Sequence, residues 1–325
     1  MPVVQNYLQI VGYVFLGLLV SAILLWLVSC FVASYFVYTK TLKRQDKVQW
    51  GRDLPVDMDP AQRPMYDAGL VWSDENIDSK VDLHIVNEGY NLYGEYYDFK
   101  KDRCAVILSG RTESLKYGYY FAIPYANNDC NILVLDQRSH GLSDGEYNTL
   151  GFEEHKDVIA WVKYIKENYN INSFVFHGIC IGAANGMLAL RSGGLSGLVD
   201  GIVTEGMFAN FSESVKNHMI ERKKSTFLTL NLIDMWMRRY TGHSMKYGPI
   251  DFIDTISTPL LMLHSKEDIY STPEYAQKLI DTSGAKLKQL VWFEHGKHSL
   301  LRITDTDLYD RSITDFLTKI NSNKN

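Results

Sequence analysis

The chemistry of this chain concentrates in His177-Gly178-Ile179-Cys180-Ile181-Gly182-Ala183. The stretch follows Ser173-Phe174-Val175-Phe176, a short run with the β-branched and aromatic content of a buried strand. It leads into Ala183–Leu190, small and apolar residues suited to a helix packed closely on a sheet. Strand, tight turn and helix form the setting of a nucleophile elbow, in which the reactive side chain occupies a strained backbone position. Glycines two residues to either side let strand and helix pass close together. Gly178 and Gly182 flank Cys180 in this way, so its thiol is the candidate nucleophile. A buried structural cysteine between two incidental glycines is the competing reading, because cysteine is among the most often buried residue types.

A thiol attacks as the thiolate and needs a base or a positive field beside it. The start of the helix after Cys180 contributes to that field. The base is expected in the loop after the last strand, where Phe293-Glu294-His295-Gly296-Lys297-His298 offers two histidines. His298 is preferred, since it ends a Gly-x-His turn and opens the helical run Ser299–Arg302; His295 follows too closely on the strand and ranks second. The orienting acid is expected after the preceding strand, in Ser265-Lys266-Glu267-Asp268, with Asp268 preferred over Glu267. Nucleophile, acid and histidine then follow in the chain order known for a triad on such an elbow. Taken singly, an Asp or a His in a loop is usually a solvated or capping group; three in the right loops and order favour chemistry.

Gly141-Leu142-Ser143-Asp144-Gly145 fits G-x-S-x-G as well. It follows its strand only after five further residues, and the next helical pattern starts near Gly151. Ser143 therefore lacks the elbow context and is not expected to be the nucleophile.

The elements that must position these residues read as an α/β fold. Strands are predicted at Val81–Val86, Leu92–Phe99, Ala105–Leu108, Ile132–Leu135, Phe174–Phe176, Gly201–Thr204, Leu260–His264 and Gln289–Phe293. The first two flank a hairpin loop, Asn87–Asn91. The later ones are short continuous apolar runs, as strands buried on both faces of a parallel sheet read. Helices are predicted between them at Tyr117–Ala126, Phe152–Asn168, Ala183–Arg191 and Pro273–Ile280. Val158, Trp161, Val162 and Ile165 recur at i, i+3, i+4, i+7, an amphipathic face. This alternation implies a mostly parallel, eight-stranded sheet in a domain over 80–325. One stretch, 207–256, breaks it with helical character. It carries Met207, Met219, Met235, Met237 and Met245 among Phe208, Phe211, Phe227, Trp236 and Tyr240. It is expected to form a helical cap with an adaptable apolar wall, or simply to pack on itself.

Residues 1–39 carry no charged side chain, and Ile10–Tyr38 is almost wholly apolar, long enough to cross a bilayer with some tilt. A secretory signal peptide fits poorly: there is no basic n-region and the apolar run is too long. Lys40, Lys43, Arg44 and Lys47 follow the span and nothing basic precedes it, so the positive-inside rule puts the domain in the cytoplasm. Cys104, Cys130 and Cys180, an odd number outside the span, are no disulfide framework. Residues 40–79, with Pro55, Pro60 and Pro64, read as a juxtamembrane linker with one short helix around Gln62–Trp72. Trp50 and Trp72 are placed either on the domain or at the membrane surface. With 33 Lys and Arg against 38 Asp and Glu, the net charge of −5 excludes a nucleic-acid binder of the basic kind.

Residues 81–315 resemble the α/β-hydrolase superfamily, and within it the bacterial serine aminopeptidase S33-type, monoacylglycerol-lipase-like hydrolases. The resemblance is carried by Asp136-Gln137-Arg138-Ser139-His140-Gly141-Leu142-Ser143, similar to that family's D-x-R-G-H-G-x-S loop, by G-I-C-I-G, by Ser265-Lys266-Glu267-Asp268 with Pro273, and by Gly296-Lys297-His298. It implies a covalent acyl-enzyme and an oxyanion hole built from the backbone N–H groups of Ile181 and Arg111. Two aligned donors stabilise the developing oxyanion, and losing one typically costs about 3 kcal/mol. Three positions depart from the pattern: Cys180 stands for Ser, Ser109-Gly110 for His-Gly, and Ser139 for Gly. The elbow itself is similar to that of dienelactone hydrolase, which has a Cys-His-Asp triad on this fold.

Such a triad permits acyl transfer through a thioester, which amines attack readily. The reading is a membrane-anchored hydrolase or acyltransferase acting on an ester, thioester or amide, with a small-molecule acyl substrate for which a lipid origin stays open. No metal or cofactor is expected, since no metal cluster, phosphate loop or dinucleotide fingerprint stands in a fitting context. The alternative is a catalytically silent domain of the same fold that binds a lipid or protein partner through its cap. The two differ in the alkylation rate of Cys180 near neutral pH.

Overall fold

A computed structural model describes residues 2–44 and 60–322. Lys47, Trp50 and Pro55 of the expected linker lie outside the described residues.

Helix α1 (Pro2–Leu42) is followed by α2 (Gln62–Glu75) and then by a hairpin of β1 (Lys80–Asn87) and β2 (Tyr90–Tyr97). Glu88 and Gly89, both at positive φ, close the hairpin as a two-residue turn whose twist matches that of the strands. The alternating part comprises β3 (Arg103–Leu108), α3 (Leu115–Ala126), β4 (Cys130–Leu135), α4 (Glu154–Tyr169), β5 (Ser173–Ile179), α5 (Ile181–Arg191) and β6 (Val199–Glu205). Helices α6 (Phe211–Glu221) and α7 (Thr229–Thr241) interrupt it before β7 (Leu260–Ser265), α8 (Pro273–Thr282) and β8 (Lys288–Phe293). A short α9 (Leu301–Thr304) and a long α10 (Thr306–Ser322) end the fold.

All eight strands join one sheet in the order β1-β2-β4-β3-β5-β6-β7-β8. β2 pairs antiparallel with β1 and β4, and the pairs from β3 onward are parallel. Every residue of β4 and β7 is buried, because helices cover both faces. On one face Val158, Trp161 and Ile165 of α4 pack with Met187 of α5 and Leu279 of α8. On the other, Tyr125 of α3 packs with Tyr309, Ile313, Phe316 and Leu317 of α10. The sequence reading has no counterpart to α10, although Tyr309, Ile313, Phe316 and Ile320 fall at helical spacing.

Helix α1 has 41 residues and is about 60 Å long at the α-helical rise. Asn6–Leu42 is long and apolar enough to cross a membrane, and its apolar window is unburied. Its last turns are not free. Trp236 of α7 donates from Nε1 to Ser34 Oγ at 3.0 Å, and its ring meets Phe31 and Tyr35. Tyr38, Tyr147 and Tyr240 form a trio of mutually contacting rings. Arg44 donates to the carbonyls of Ser143 (2.8 Å) and Gly141 (2.6 Å), and Lys43 bridges to Tyr147. At its far end the stretch is docked too: Trp72 of α2 packs on Tyr97 and Tyr119. The stretch after residue 40 is thus held to the domain at both described ends, the helix expected around Gln62–Trp72 is α2, and Trp72 packs on the domain. The carbonyls that hold Arg44 lie about a hundred residues away in sequence, beyond the reach of pattern reading.

Candidate active site

Cys180 sits between β5 and α5 at φ 51, ψ −108, a strained position for a residue with a Cβ. Crowding enforces the turn. A Cβ on Gly182 would lie 2.0 Å from the Leu108 carbonyl oxygen, and one on Gly178 would lie 2.5 Å from Ala183 Cα. Only glycine lets strand, turn and helix approach so closely. The Cys180 N–H donates to the Glu205 carbonyl at 2.9 Å, which ties the turn to β6.

Asp268 follows β7 in a turn that fixes its carboxylate. Oδ1 accepts the N–H groups of Tyr270 (2.8 Å) and Ser271 (2.9 Å), leaving Oδ2 for His298 Nδ1 at 2.7 Å. Burial raises the Asp268 carboxyl, but the imidazole outweighs it and holds it below the usual carboxylate range. Burial likewise lowers His298, yet Asp268, and then the Cys180 thiol on its other side, push it well above the ordinary histidine value. Cys180, Asp268 and His298 therefore meet at one point, from three turns spread over 118 residues of sequence. His295 and Glu267 form a separate, solvent-exposed pair at 2.9 Å.

Cys180 and His298 line a cavity of about 420 Å³, together with Arg111, Glu113, Phe211, His218, Tyr270 and Leu300, while Asp268 stands behind the imidazole. The cap element α6 reaches the acid turn directly: Tyr270 Oη donates to Glu221 at 2.7 Å, and His218 stacks on Tyr270 at 3.6 Å. Burial lowers the His218 value to about 4, so a neutral ring faces the cavity. Ile181 is buried at the first position of α5, and Arg111 stands in the loop after β3. The backbone hydrogen bonds of the described residues include none from Ile181 N or Arg111 N. His140 steadies that loop: its Nε2 accepts from Thr112 N at 3.2 Å while Nδ1 donates to the Arg138 carbonyl. Burial holds His140 neutral, near 4.

Ser143 has a different place. Its hydroxyl donates to the Asp136 carbonyl at 2.6 Å and accepts from Tyr93 N at 2.9 Å, 1 % exposed. It staples the loop under β2 and does not face the cavity.

No protein-family model matches the chain. The uncharacterized protein YqkD of Bacillus subtilis is 26% identical over 221 residues, 67% of this chain and 70% of that protein. A Pyrococcus furiosus esterase superposes with a TM-score of 0.63 at 19% identity, over 76% of this chain and 93% of its own. An alpha-beta hydrolase from Vibrio vulnificus gives 0.58 at 14% identity, over 85% and 99%. Est1E from Butyrivibrio proteoclasticus, with ferulic acid bound, gives 0.57 at 18%, over 74% and 99%. The chain has the α/β-hydrolase fold. Cys180 occupies the strand-turn-helix bend between β5 and α5 of this fold.

Sequence reasoning missed the support behind the histidine. Glu205 accepts Leu301 N at 3.0 Å and Tyr309 Oη at 2.6 Å; Tyr309 Oη also meets His177 Nε2, whose Nδ1 meets Tyr125 Oη at 2.8 Å. This buried row joins α3, β5, β6, α9 and α10. Thr204-Glu205-Gly206 is visible in the sequence as a strand end, but nothing there marks Glu205 as buried.

Proposed function

We propose that this α/β hydrolase is a single-pass membrane protein, its catalytic domain cytoplasmic, that cleaves an ester, thioester or amide through Cys180, His298 and Asp268. The observation that carries the reading is the imidazole of His298, held by Asp268 on one nitrogen and set against Cys180 on its other side in an open cavity. Cys180 Sγ attacks the acyl carbonyl carbon, and its proton is held on His298. The negative charge that develops on the carbonyl oxygen is met by the N–H groups of Ile181 and Arg111. The leaving alcohol, thiol or amine departs with the proton from His298, and a thioester remains on Cys180. Water, activated by His298, then attacks the thioester and restores the thiol; an amine can take the same place, which makes the product an amide. The Pyrococcus furiosus esterase and the ferulic acid on Est1E support ester chemistry as the first to try.

The test is turnover of p-nitrophenyl esters with the alkylation rate of Cys180 by iodoacetamide measured alongside. Turnover that is lost in step with alkylation supports the reading. Slow alkylation with no turnover favours the silent, partner-binding domain instead.

A further inference from the structure

A second cavity, of about 640 Å³, lies between α1 and the cap. Cys30, Ala33 and Val37 line it from α1, and Phe211, Val215 and Met219 from α6. Arg111, Phe211 and His218 line both this groove and the catalytic cavity, so the two spaces share a wall. Trp26 of α1 and, from the cap, Arg222 and Lys224 line it too. Trp26 stacks on Phe227, which is 73% exposed. An indole, an exposed phenyl ring and two cations together are the side chains that a membrane–water interface collects. About 20 helical residues cross the hydrocarbon, so a span beginning at Asn6 reaches that boundary near Trp26.

We propose that this groove takes the acyl chain of a membrane-resident amphiphile, which enters sideways from the bilayer and brings its acyl carbonyl past Arg111 and Phe211 to Cys180. The inference rests on the reading of Cys180 as nucleophile and of α1 as a membrane span. A short soluble ester needs only the catalytic cavity. A long-chain substrate also fills the apolar groove, and Arg222 and Lys224, which line it from the cap, are the cations available to a phosphate headgroup. Two walls of the site then belong to different parts of the chain: the anchor holds one side of the acyl chain and the cap the other.

The test uses the full chain in nanodiscs of phosphatidylethanolamine and phosphatidylglycerol. Each methylene buried in the groove is expected to raise kcat/KM by about fourfold, so p-nitrophenyl palmitate is preferred over the butyrate. Ala33→Trp, which fills the groove from α1, is expected to lower the palmitate-to-butyrate ratio of kcat/KM about tenfold or more. An unchanged ratio overturns the proposal. A second arm needs no turnover: a phospholipid with a diazirine at its acyl tail is photolysed in nanodiscs holding Cys180→Ala. Adducts on the 211–219 peptide that are lost in the added presence of Ala33→Trp support the groove; labelling confined to α1 overturns it. Groove labelling in a chain whose wild type shows no turnover keeps the groove as an acyl-chain site and removes the delivery of a carbonyl to Cys180.

Discussion

Gly206 and His298 touch: a Cβ on Gly206 would stand 2.9 Å from Cε1 and 3.0 Å from Nδ1 of the imidazole. Gly206 also lies at φ +59, in the left-handed region. The end of β6 thus forms the back wall of the histidine. Gly206→Ala is expected to push the imidazole off the Asp268–Cys180 line and lower kcat by about tenfold to a hundredfold, since sub-ångström to ångström misplacement is enough. Steady-state kinetics on a variant with unchanged circular dichroism checks this. An undiminished kcat contradicts it.

Glu205 makes the stability pH-dependent. Burial raises its carboxyl to about 7, against the Tyr309 hydroxyl and Leu301 N–H, which pull it down. The folded chain therefore holds a proton that the unfolded chain releases at ordinary glutamate values. That contribution is complete in acid, declines as pH rises toward 7, and is gone above it. Glu205→Gln removes the titration, so wild-type stability relative to the variant should fall by up to roughly a few kcal/mol between pH 4 and pH 8. Urea unfolding midpoints across that range give the slope; parallel curves for the two proteins rule it out.

Ser139 occupies φ 66, and its buried hydroxyl has no partner among the described residues. A left-handed residue with a Cβ costs about 1–2 kcal/mol, and a buried unpaired hydroxyl adds to that. Ser139→Gly is expected to raise the melting temperature by a few degrees, on the order of 1 kcal/mol. A lower melting temperature would mean that the hydroxyl has a structural role.

Ser143→Ala separates the two motif matches. Removing the hydroxyl leaves the buried Tyr93 N–H without its acceptor, a loss of about 1–3 kcal/mol in stability. Acylation of Cys180 should persist in the folded fraction. Loss of acylation with unchanged stability would transfer the chemistry to Ser143.

Much of the scaffold was legible because burial on both faces leaves a plain mark. Ile132–Leu135 and Leu260–Leu263 are unbroken apolar runs, and each lies in an interior strand of the sheet. The elbow was legible because Gly178 and Gly182 are demanded by contacts that allow no side chain. Sheet order was not, since nothing local tells β4 to pair with β2 as well as β3. The polar row from Tyr125 through His177 and Tyr309 to Glu205 was hidden for the same reason: its members are spread over 184 residues and look like ordinary strand and helix positions. The docking of α1 on the cap went unseen because Trp236 and Tyr240 read equally well as packing within the cap.

The central claim is a covalent intermediate on Cys180. The most direct measurement is intact mass after mixing the full chain with p-nitrophenyl butyrate, with p-nitrophenol release followed in the same sample, for wild type, Cys180→Ala and His298→Ala. The account predicts a burst of release and a single butyryl adduct on the Cys180 peptide of the wild type. It predicts neither in Cys180→Ala and, in His298→Ala, acylation slower by a factor on the order of 10²–10⁴. An equal burst and adduct in Cys180→Ala, or release from the wild type with no adduct when the reaction is quenched early, would contradict it.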